Sequence, residues 1–293
     1  MGGSATAYAS RASDLLALTK PGIGFLVVLT ALAGYWIAAP AGAVELDTLL
    51  ALLAGTALVG AGANAGNMLL ERRHDARMRR TANRPLPAGR LRPITAAGFM
   101  AVLTLGGLAL LWAGTGPLPT ALGGLAWLLY LAAYTPMKRR TSLNTLVGAI
   151  PGALPPLMGW AAARGGIDPM GLVLFAILFL WQIPHFFAIA ELYADDYRQA
   201  GYAMLPVTQA GASSAARLGA LYCSALLPVT LLPVALGHAG RLYLLCAVTL
   251  GLAFLLAGLA HAIGRSRPRA RRLFLLSLLY LPSLLATLAI DRI

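Results

Sequence analysis

The chain alternates between long apolar segments and short polar ones along almost its whole length. A membrane-spanning helix needs about 20 mainly apolar residues, and nine segments come close to this. They cover residues 22–39, 48–70, 94–113, 118–134, 143–163, 169–190, 212–236, 242–264 and 273–290. The pattern predicts an all-α polytopic membrane protein, with an N-terminal segment at 1–21 and a single membrane-embedded domain at 22–293.

The composition agrees with a protein that is immersed in a bilayer. Hydrophobic residues make up 59% of the 293 residues, and only 11% are charged, whereas a soluble domain carries about 25% charged residues. The formal net charge of +13 raises the question of nucleic acid. However, the basic residues are divided among the loops between apolar segments, where membrane topology and anionic lipid account for them. We therefore expect the lipid bilayer as a partner and no nucleic acid.

The basic residues also predict the orientation of the spans. With nine spans and a cytoplasmic N-terminus, all of the 23 Lys and Arg residues fall on the cytoplasmic side except Arg164, Arg241 and Arg292. Such asymmetry is typical of an odd number of spans with the N-terminus inside. The sequence predicts a multi-pass protein of the inner (plasma) membrane with its polar loops in the cytoplasm.

Five of the ten acidic residues form two clusters, at the cytoplasmic ends of the second and sixth predicted spans. In the first cluster, Asn67, Glu71 and Asp75 repeat every four residues and therefore share one face of a helix. Carboxylates in line repel one another and attract a hard cation such as Mg²⁺, which takes one or two carboxylates and leaves its other positions to water and phosphate. Arginines follow at 73, 77, 80 and 84, and their planar guanidinium groups suit a diphosphate.

The second cluster contains Glu191, Asp195 and Asp196, and its first two members lie 120 residues after Glu71 and Asp75. Helical spacing favours Glu191 and Asp195 as a metal-binding face. The repeated order of span, acidic cluster and basic loop suggests an internal duplication that would gather both clusters around a central cavity. The alternative is a hydrated helix end, because acidic residues are ordinarily solvated.

Three long motifs carry a family resemblance. The first is Asn67-x-x-x-Glu71-x-x-x-Asp75-x-x-Met78-x-Arg80-Thr81-x-x-Arg84-Pro85, and the second is Tyr134-Thr135-Pro136-x-Lys138-Arg139 followed by Asn144. The third is Trp181-Gln182-Ile183-Pro184-His185-Phe186 with Asp196-Tyr197, Gly201 and Met204-Leu205-Pro206-Val207. In this order they resemble the UbiA-type membrane prenyltransferases, and within them the protohaem IX farnesyltransferases.

The resemblance implies a UbiA-like helical bundle that transfers a farnesyl group from farnesyl diphosphate to a vinyl group of protohaem IX (haem B). Water addition then gives haem O and diphosphate, and a haem-A-forming enzyme is the expected partner. The resemblance favours Asp196 over Asp195 and Glu191 as the metal-side acid. The expected catalytic residues are Asn67, Glu71, Asp75, Arg80, Arg84, Lys138 and Asp196, and Mg²⁺ is the expected cofactor.

Three further residues are candidates for the acceptor side of the reaction. His185 lies in an apolar segment, where an ionisable residue is a functional candidate by default, and it would ligate haem iron or act as a base unless it is only structural. Tyr134 and Tyr197 offer aromatic faces to an allylic cation. Two other functions remain open: prenylation of a quinone precursor or chlorin, and a transporter whose acids bind a coupling cation.

Overall fold

The computed structural model describes residues 10–40, 43–208 and 211–293, and these are mostly helical, without a β-strand. Nine helices in this part of the chain are long and apolar enough to span a membrane, which confirms the predicted number. The spans are α2 (Pro21–Ala38), α3 (Leu46–Asp75), α4 (Pro93–Thr115), α5 (Pro117–Met137), α6 (Asn144–Arg164), α7 (Pro169–Leu192), α9 (Gly211–Ala235), α10 (Arg241–Ile263) and α11 (Arg267–Ile290). Short helices α1 (Arg11–Thr19) and α8 (Ala194–Gln199) precede the first span and follow the sixth.

The spans pack as two groups of four, which meet where α6 packs on α7, and α2 packs mainly against the first group. In the first group α3 packs on α4, α4 on α5 and α5 on α6, and α3 also contacts α6. In the second group α7 packs on α9 and α11, and α10 packs on both α9 and α11. Each group begins with a helix that ends in one of the acidic clusters, α3 or α7. This arrangement agrees with the internal duplication expected from the sequence.

Helix α2 is held against α6 by a backbone contact that only glycine permits. A Cβ atom on Gly34 would overlap the carbonyl oxygen of Pro156, and one on Gly159 would overlap that of Ala31. Small residues let helices in a membrane approach closely and gain van der Waals contact. The fit fixes α2, and with it the residue that precedes it, Lys20.

Helix α3 is longer than a membrane requires. Its 30 residues correspond to about 45 Å, against a hydrocarbon thickness of about 30 Å. The apolar window predicted from sequence ended at residue 70, but the helix continues to Asp75. The last two turns therefore carry Glu71 and Asp75 to the polar end of the bundle.

The N-terminal segment forms part of this polar end. The side chain of Leu18 on α1 is fully buried in a cluster with Ala65 and Met68 of α3. Asp14 of α1 is buried and accepts hydrogen bonds from Arg90 in the loop between α3 and α4. The boundary at residue 21 stays a prediction, and residues 1–9 of the predicted segment lie outside the described residues.

Candidate active site

The first acidic cluster is a line of buried polar side chains on one face of α3. Asn67, Glu71 and Asp75 are 1%, 4% and 1% exposed, respectively. Burying a charged group is costly unless it is paired or hydrogen-bonded. The surroundings of these three side chains therefore decide what the site can bind.

Each of the three is contacted by a cation from a different part of the chain. Lys20 Nζ donates a hydrogen bond to Asn67 Oδ1 at 2.7 Å. Lys138 Nζ lies 3.0 Å from Glu71 Oε1 and 3.3 Å from Oε2. Arg84 Nη1 lies 2.8 Å from Asp75 Oδ2. The site thus holds three basic side chains against two carboxylates, and a bound anion would favour the charged form of all three.

Lys20 belongs to none of the motifs found in the sequence, where it counted only as a basic residue on the cytoplasmic side. Its backbone is in the left-handed region, with φ of 49°, and it both ends α1 and precedes Pro21 of α2. Because a non-glycine residue rarely adopts this conformation, the turn is a local strain that the packing of both helices maintains. Burial, Lys138 and Arg84 lower the pKa of Lys20 to about 7.

Lys138 is positioned by an irregular end of α5. Residues Leu129–Tyr134 form a π-helical turn, and Thr135 follows with its hydroxyl donating to the carbonyl of Tyr130 at 2.8 Å. The Thr135 hydroxyl also accepts a hydrogen bond from Asn67 Nδ2 at 3.2 Å. Such π-turns are frequent at functional sites. The turn joins α5 to α3 at the level of the acidic line.

Aromatic rings form one wall beside these cations. The ring centre of Tyr134 lies 4.6 Å from Lys138 Nζ, and that of Tyr202 lies 5.9 Å from it. Arg80 Cζ lies 5.8 Å from the Tyr197 ring centre, and its guanidinium donates to the Tyr197 hydroxyl at 3.4 Å. Tyr134 and Tyr197 were candidates from the sequence. Tyr202 was missed, although it follows the Asp196-Tyr197 pair by a short turn.

The loops that follow α3 and α7 pack against each other. Met78 is buried in a cluster with Ala190 of α7 and with Tyr202 and other residues of the second loop, and Arg80 contacts Tyr197 next to Asp196. The polar ends of α3 and α7 therefore lie close together, as the sequence predicted. They are held there by apolar and aromatic contacts, together with the Arg80 hydrogen bond.

The acids of the second cluster are separated from one another. The expectation that Glu191 and Asp195 share one helical face is wrong, because α7 ends at Leu192 and α8 starts at Ala194. Glu191 contacts His261 Nε2 at 3.1 Å and Arg265 Nε at 3.0 Å, so it ties α7 to the end of α10. The Asp195 side chain is 90% exposed and pairs with Arg198, whereas Asp196 is half-buried.

His185 lies in a separate aromatic cluster between α7 and α11. Its ring stacks on Trp181 at 4.9 Å between centres and lies 5.2 Å from Phe274. His185 Nδ1 is 2.7 Å from Ser277 Oγ, and that hydroxyl donates to the carbonyl of Phe274 at 2.5 Å. Because the hydroxyl proton is already used, Ser277 must accept from Nδ1–H. The neutral ring then keeps its lone pair on Nε2.

The donor set of α3 fits a magnesium ion that is shared with a phosphate. No group of three or more His, Cys, Asp or Glu side chains that could hold a metal occurs in the described parts of the chain. Mg²⁺ does not need such a group when phosphate and water complete its six positions. Asp75 Oδ1 is buried and has no hydrogen-bond partner among the described residues, which leaves an acceptor for a hard cation.

This fold, with acids and cations at one polar end, is that of a membrane prenyltransferase. The profile of the UbiA prenyltransferase family matches residues 27–281, and the chain belongs to that family. Among curated proteins, it is 45% identical to a protein named protoheme IX farnesyltransferase from Solibacter usitatus, over 95% of this chain and 98% of the relative. A protein of the same name from Myxococcus xanthus is 48% identical, over 96% and 95%.

Solved structures of the family share the fold at much lower identity. A digeranylgeranylglyceryl phosphate synthase superposes with a TM-score of 0.81 at 16% identity, over 96% of this chain and 98% of that one. A UbiA homologue from Archaeoglobus fulgidus, solved with GPP and Mg²⁺ bound, superposes with a TM-score of 0.66 at 15% identity, over 94% and 99%. These likenesses establish the helical architecture. The nine apolar helices and the family membership identify a multi-pass membrane protein.

Proposed function

We propose that this protein transfers the farnesyl group of farnesyl diphosphate to a vinyl group of protohaem IX, and that water addition completes haem O with release of diphosphate. The observation that carries the transfer is the line of Asn67, Glu71 and Asp75, each contacted by a different cation. The choice of haem as acceptor rests on the relatives named protoheme IX farnesyltransferase, which match over nearly their whole length.

The reaction requires a site that stabilises an anion beside an apolar space. Breaking the allylic C–O bond leaves both bonding electrons on the diphosphate and an empty orbital on the farnesyl carbon. The vinyl group then forms the new C–C bond, and water supplies the hydroxyl group and a proton that is released. Cationic side chains that are already in place stabilise the leaving diphosphate without reorganisation at the moment of reaction.

Mg²⁺ would be held by Asn67, Glu71 and Asp75 of the first cluster, with Asp196 as the acid from the second. When bound, the metal neutralises charge on the diphosphate oxygens. Asp75 Oδ1 is available for this role, but Glu71 and Asn67 Oδ1 are engaged by lysines. We infer that the ammonium groups of Lys20 and Lys138 turn from the acids to the diphosphate when substrate enters.

The remaining cations have complementary roles. Arg84 stays within reach of both Asp75 and an incoming phosphate, because its side chain is a quarter exposed. Arg80 joins the two loops through Tyr197 and would close the site over the diphosphate. The rings of Tyr134 and Tyr197 would face the farnesyl cation, a contact worth roughly 0.5–2 kcal/mol.

His185 would hold the haem through its iron. The Ser277 contact selects the tautomer whose lone pair lies on Nε2, the arrangement in which a histidine binds a metal. A hydrogen bond to the other ring nitrogen orients such ligands and raises their basicity. This favours a ligand over a catalytic base, because a base would require exchange of its proton with water, and the residue is only 8% exposed.

The location of the reaction follows from the basic residues. The α3–α4 loop and the start of α2 are at the same end of the bundle as most arginines, and we place this end in the cytoplasm of a cell with the protein in its inner (plasma) membrane. Farnesyl diphosphate is then supplied from the cytoplasmic side. A haem-A-forming enzyme that takes the product is the expected partner.

The test is a product assay with purified protein in lipid. Farnesyl diphosphate, protohaem and Mg²⁺ are supplied, and the porphyrin is analysed by mass spectrometry. We expect a product heavier than protohaem by one farnesyl group plus one hydroxyl group. Transfer to a quinone precursor but not to protohaem would show that the acceptor is not haem. No transfer to either acceptor would refute the proposed enzymatic function.

A further inference from the structure

A second cationic cleft lies apart from the acidic line. It is formed by Arg11 at the start of α1 and by residues at the start of α4. It has a volume of about 450 Å³ and is lined by Arg11, Arg90, Leu91, Arg92, Ile94 and Thr95. Three arginines from two parts of the chain thus line one space. None of these residues belongs to the site described above.

All three arginines are exposed, and Arg90 is also held in place by an ion pair. Arg90 Nε donates to both carboxylate oxygens of the buried Asp14, at 2.9 and 3.2 Å, and its Nη2 donates to the carbonyl of Asn83. The side chains of Arg11 and Arg92 make no hydrogen bond within the described residues. Among the described residues, Asp14 is the only carboxylate paired with these arginines, so two of the three positive charges have no ion-pair partner there.

The backbone adds further donors at the same place. Arg92 is the N-cap residue of α4, and no side chain caps this end of the helix. Pro93 has no N–H, and the N–H of Ile94 has no acceptor in the described part of the chain. The free end of a 23-residue helix carries partial positive charge and favours a phosphate. The helix end and the arginines therefore act on the same space.

The neighbouring surface is apolar, which indicates the source of the phosphate. Ile94 lines the cleft and is 75% exposed, and Leu91 contributes a second apolar side chain to the lining. In a multi-pass membrane protein such side chains lie against acyl chains. A soluble anion would contact only the arginines. A phospholipid would contact the arginines with its phosphate and the apolar side chains with its acyl chains.

We propose that this cleft binds the phosphate headgroup of one anionic phospholipid, with Arg11, Arg90 and Arg92 contacting the phosphate and the acyl chains lying along Ile94. The lipid would fasten α1 to α4 at the membrane surface. Since α1 ends at Lys20, the bound lipid also supports the position of that lysine in the active site.

The experiment compares lipid retention by native mass spectrometry for delipidated full-length protein titrated with phosphatidylglycerol. The test variant is Arg11→Gln/Arg92→Gln, which leaves the Arg90–Asp14 pair intact. The matched control is Arg217→Gln/Arg271→Gln, since both of these arginines are exposed and lie outside the cleft. Because the test variant loses two of the three positive charges, we expect a roughly 10- to 30-fold weaker first binding step in that variant alone.

Two further arms distinguish the source of the anion. Diacylglycerol, which lacks the phosphate, should bind no better to the wild type than to the test variant. Inorganic phosphate at millimolar concentration should not displace the lipid. Equal loss in the test and control variants, tight binding of diacylglycerol, or displacement by inorganic phosphate would each overturn the proposal. Both variants are surface changes, and their thermal midpoints in detergent confirm that they are folded.

Discussion

Replacing Asp75 by asparagine tests the role of the first acidic line with the smallest change in shape. The carboxylate is 1% exposed, pairs with Arg84 through Oδ2 at 2.8 Å, and leaves Oδ1 without a partner among the described residues. The amide of the Asp75→Asn variant would keep an oxygen for Arg84 but would lose the charge that binds a cation. We expect folding to survive and turnover to fail.

The two effects differ in size. Breaking a buried ion pair costs about 3–5 kcal/mol, but the Arg84 side chain is 25% exposed and can turn to water, so we expect a stability loss of about 1–2 kcal/mol. Removing one group that stabilises developing charge costs about 100- to 1000-fold in rate, which is about 2.7–4 kcal/mol. The loss of activity should therefore exceed the loss of stability.

The assay measures farnesyl transfer and thermal unfolding on the same preparation, over a range of Mg²⁺ concentrations. Asp47→Asn is the matched control, since Asp47 lies in the first turn of the same helix and is exposed. The control should keep wild-type turnover. If Asp75→Asn keeps turnover within about tenfold of wild type at every Mg²⁺ concentration, Asp75 does not bind the metal and the reasoning fails.

Three other changes test separate parts of the structure. Gly34→Ala should lower stability by about 1–3 kcal/mol because its Cβ meets the Pro156 carbonyl, while Gly24→Ala in the same helix meets nothing; equal thermal midpoints would refute the α2–α6 contact. Glu191→Gln weakens the contacts with His261 and Arg265, so it should lower stability by about 1 kcal/mol and change turnover only a few-fold. A normal thermal midpoint with lost turnover would instead show that Glu191 binds the metal. Ser277→Ala should weaken haem binding by about 10- to 100-fold in a spectral titration, and an unchanged titration would make the His185 contact merely structural.

The spans could be predicted because the bilayer requires long apolar helices, and hydropathy reports them directly. The predicted ends of the spans were less accurate. Helix α3 continues to Asp75, beyond the predicted window that ended at residue 70, and α11 begins at Arg267 although its window began at 273. In both places the helix continues into charged residues at the polar end of the bundle, so hydropathy falls while the backbone stays helical.

The sequence predicted the site residues that lie on one helix, but not those that turns and loops bring to it. Asn67, Glu71 and Asp75 lie on one continuous helix, so their spacing alone placed them on one face. Lys20 and Tyr202 are brought there by a left-handed turn and by the fold of the second loop, which no local pattern reports. The break between Glu191 and Asp195 was also missed, because α7 ends at Leu192 with no proline or glycine to signal it.

The most direct measurement is a crystal structure with Mn²⁺ in place of Mg²⁺ and a non-reactive farnesyl diphosphate analogue, with the metal located by its anomalous signal. We expect a peak at about 2.0–2.2 Å from a carboxylate oxygen of Asp75, with Lys20 and Lys138 turned towards the diphosphate. A metal bound elsewhere, with Asp75 still paired only to Arg84 and both lysines still on Asn67 and Glu71, would contradict the account.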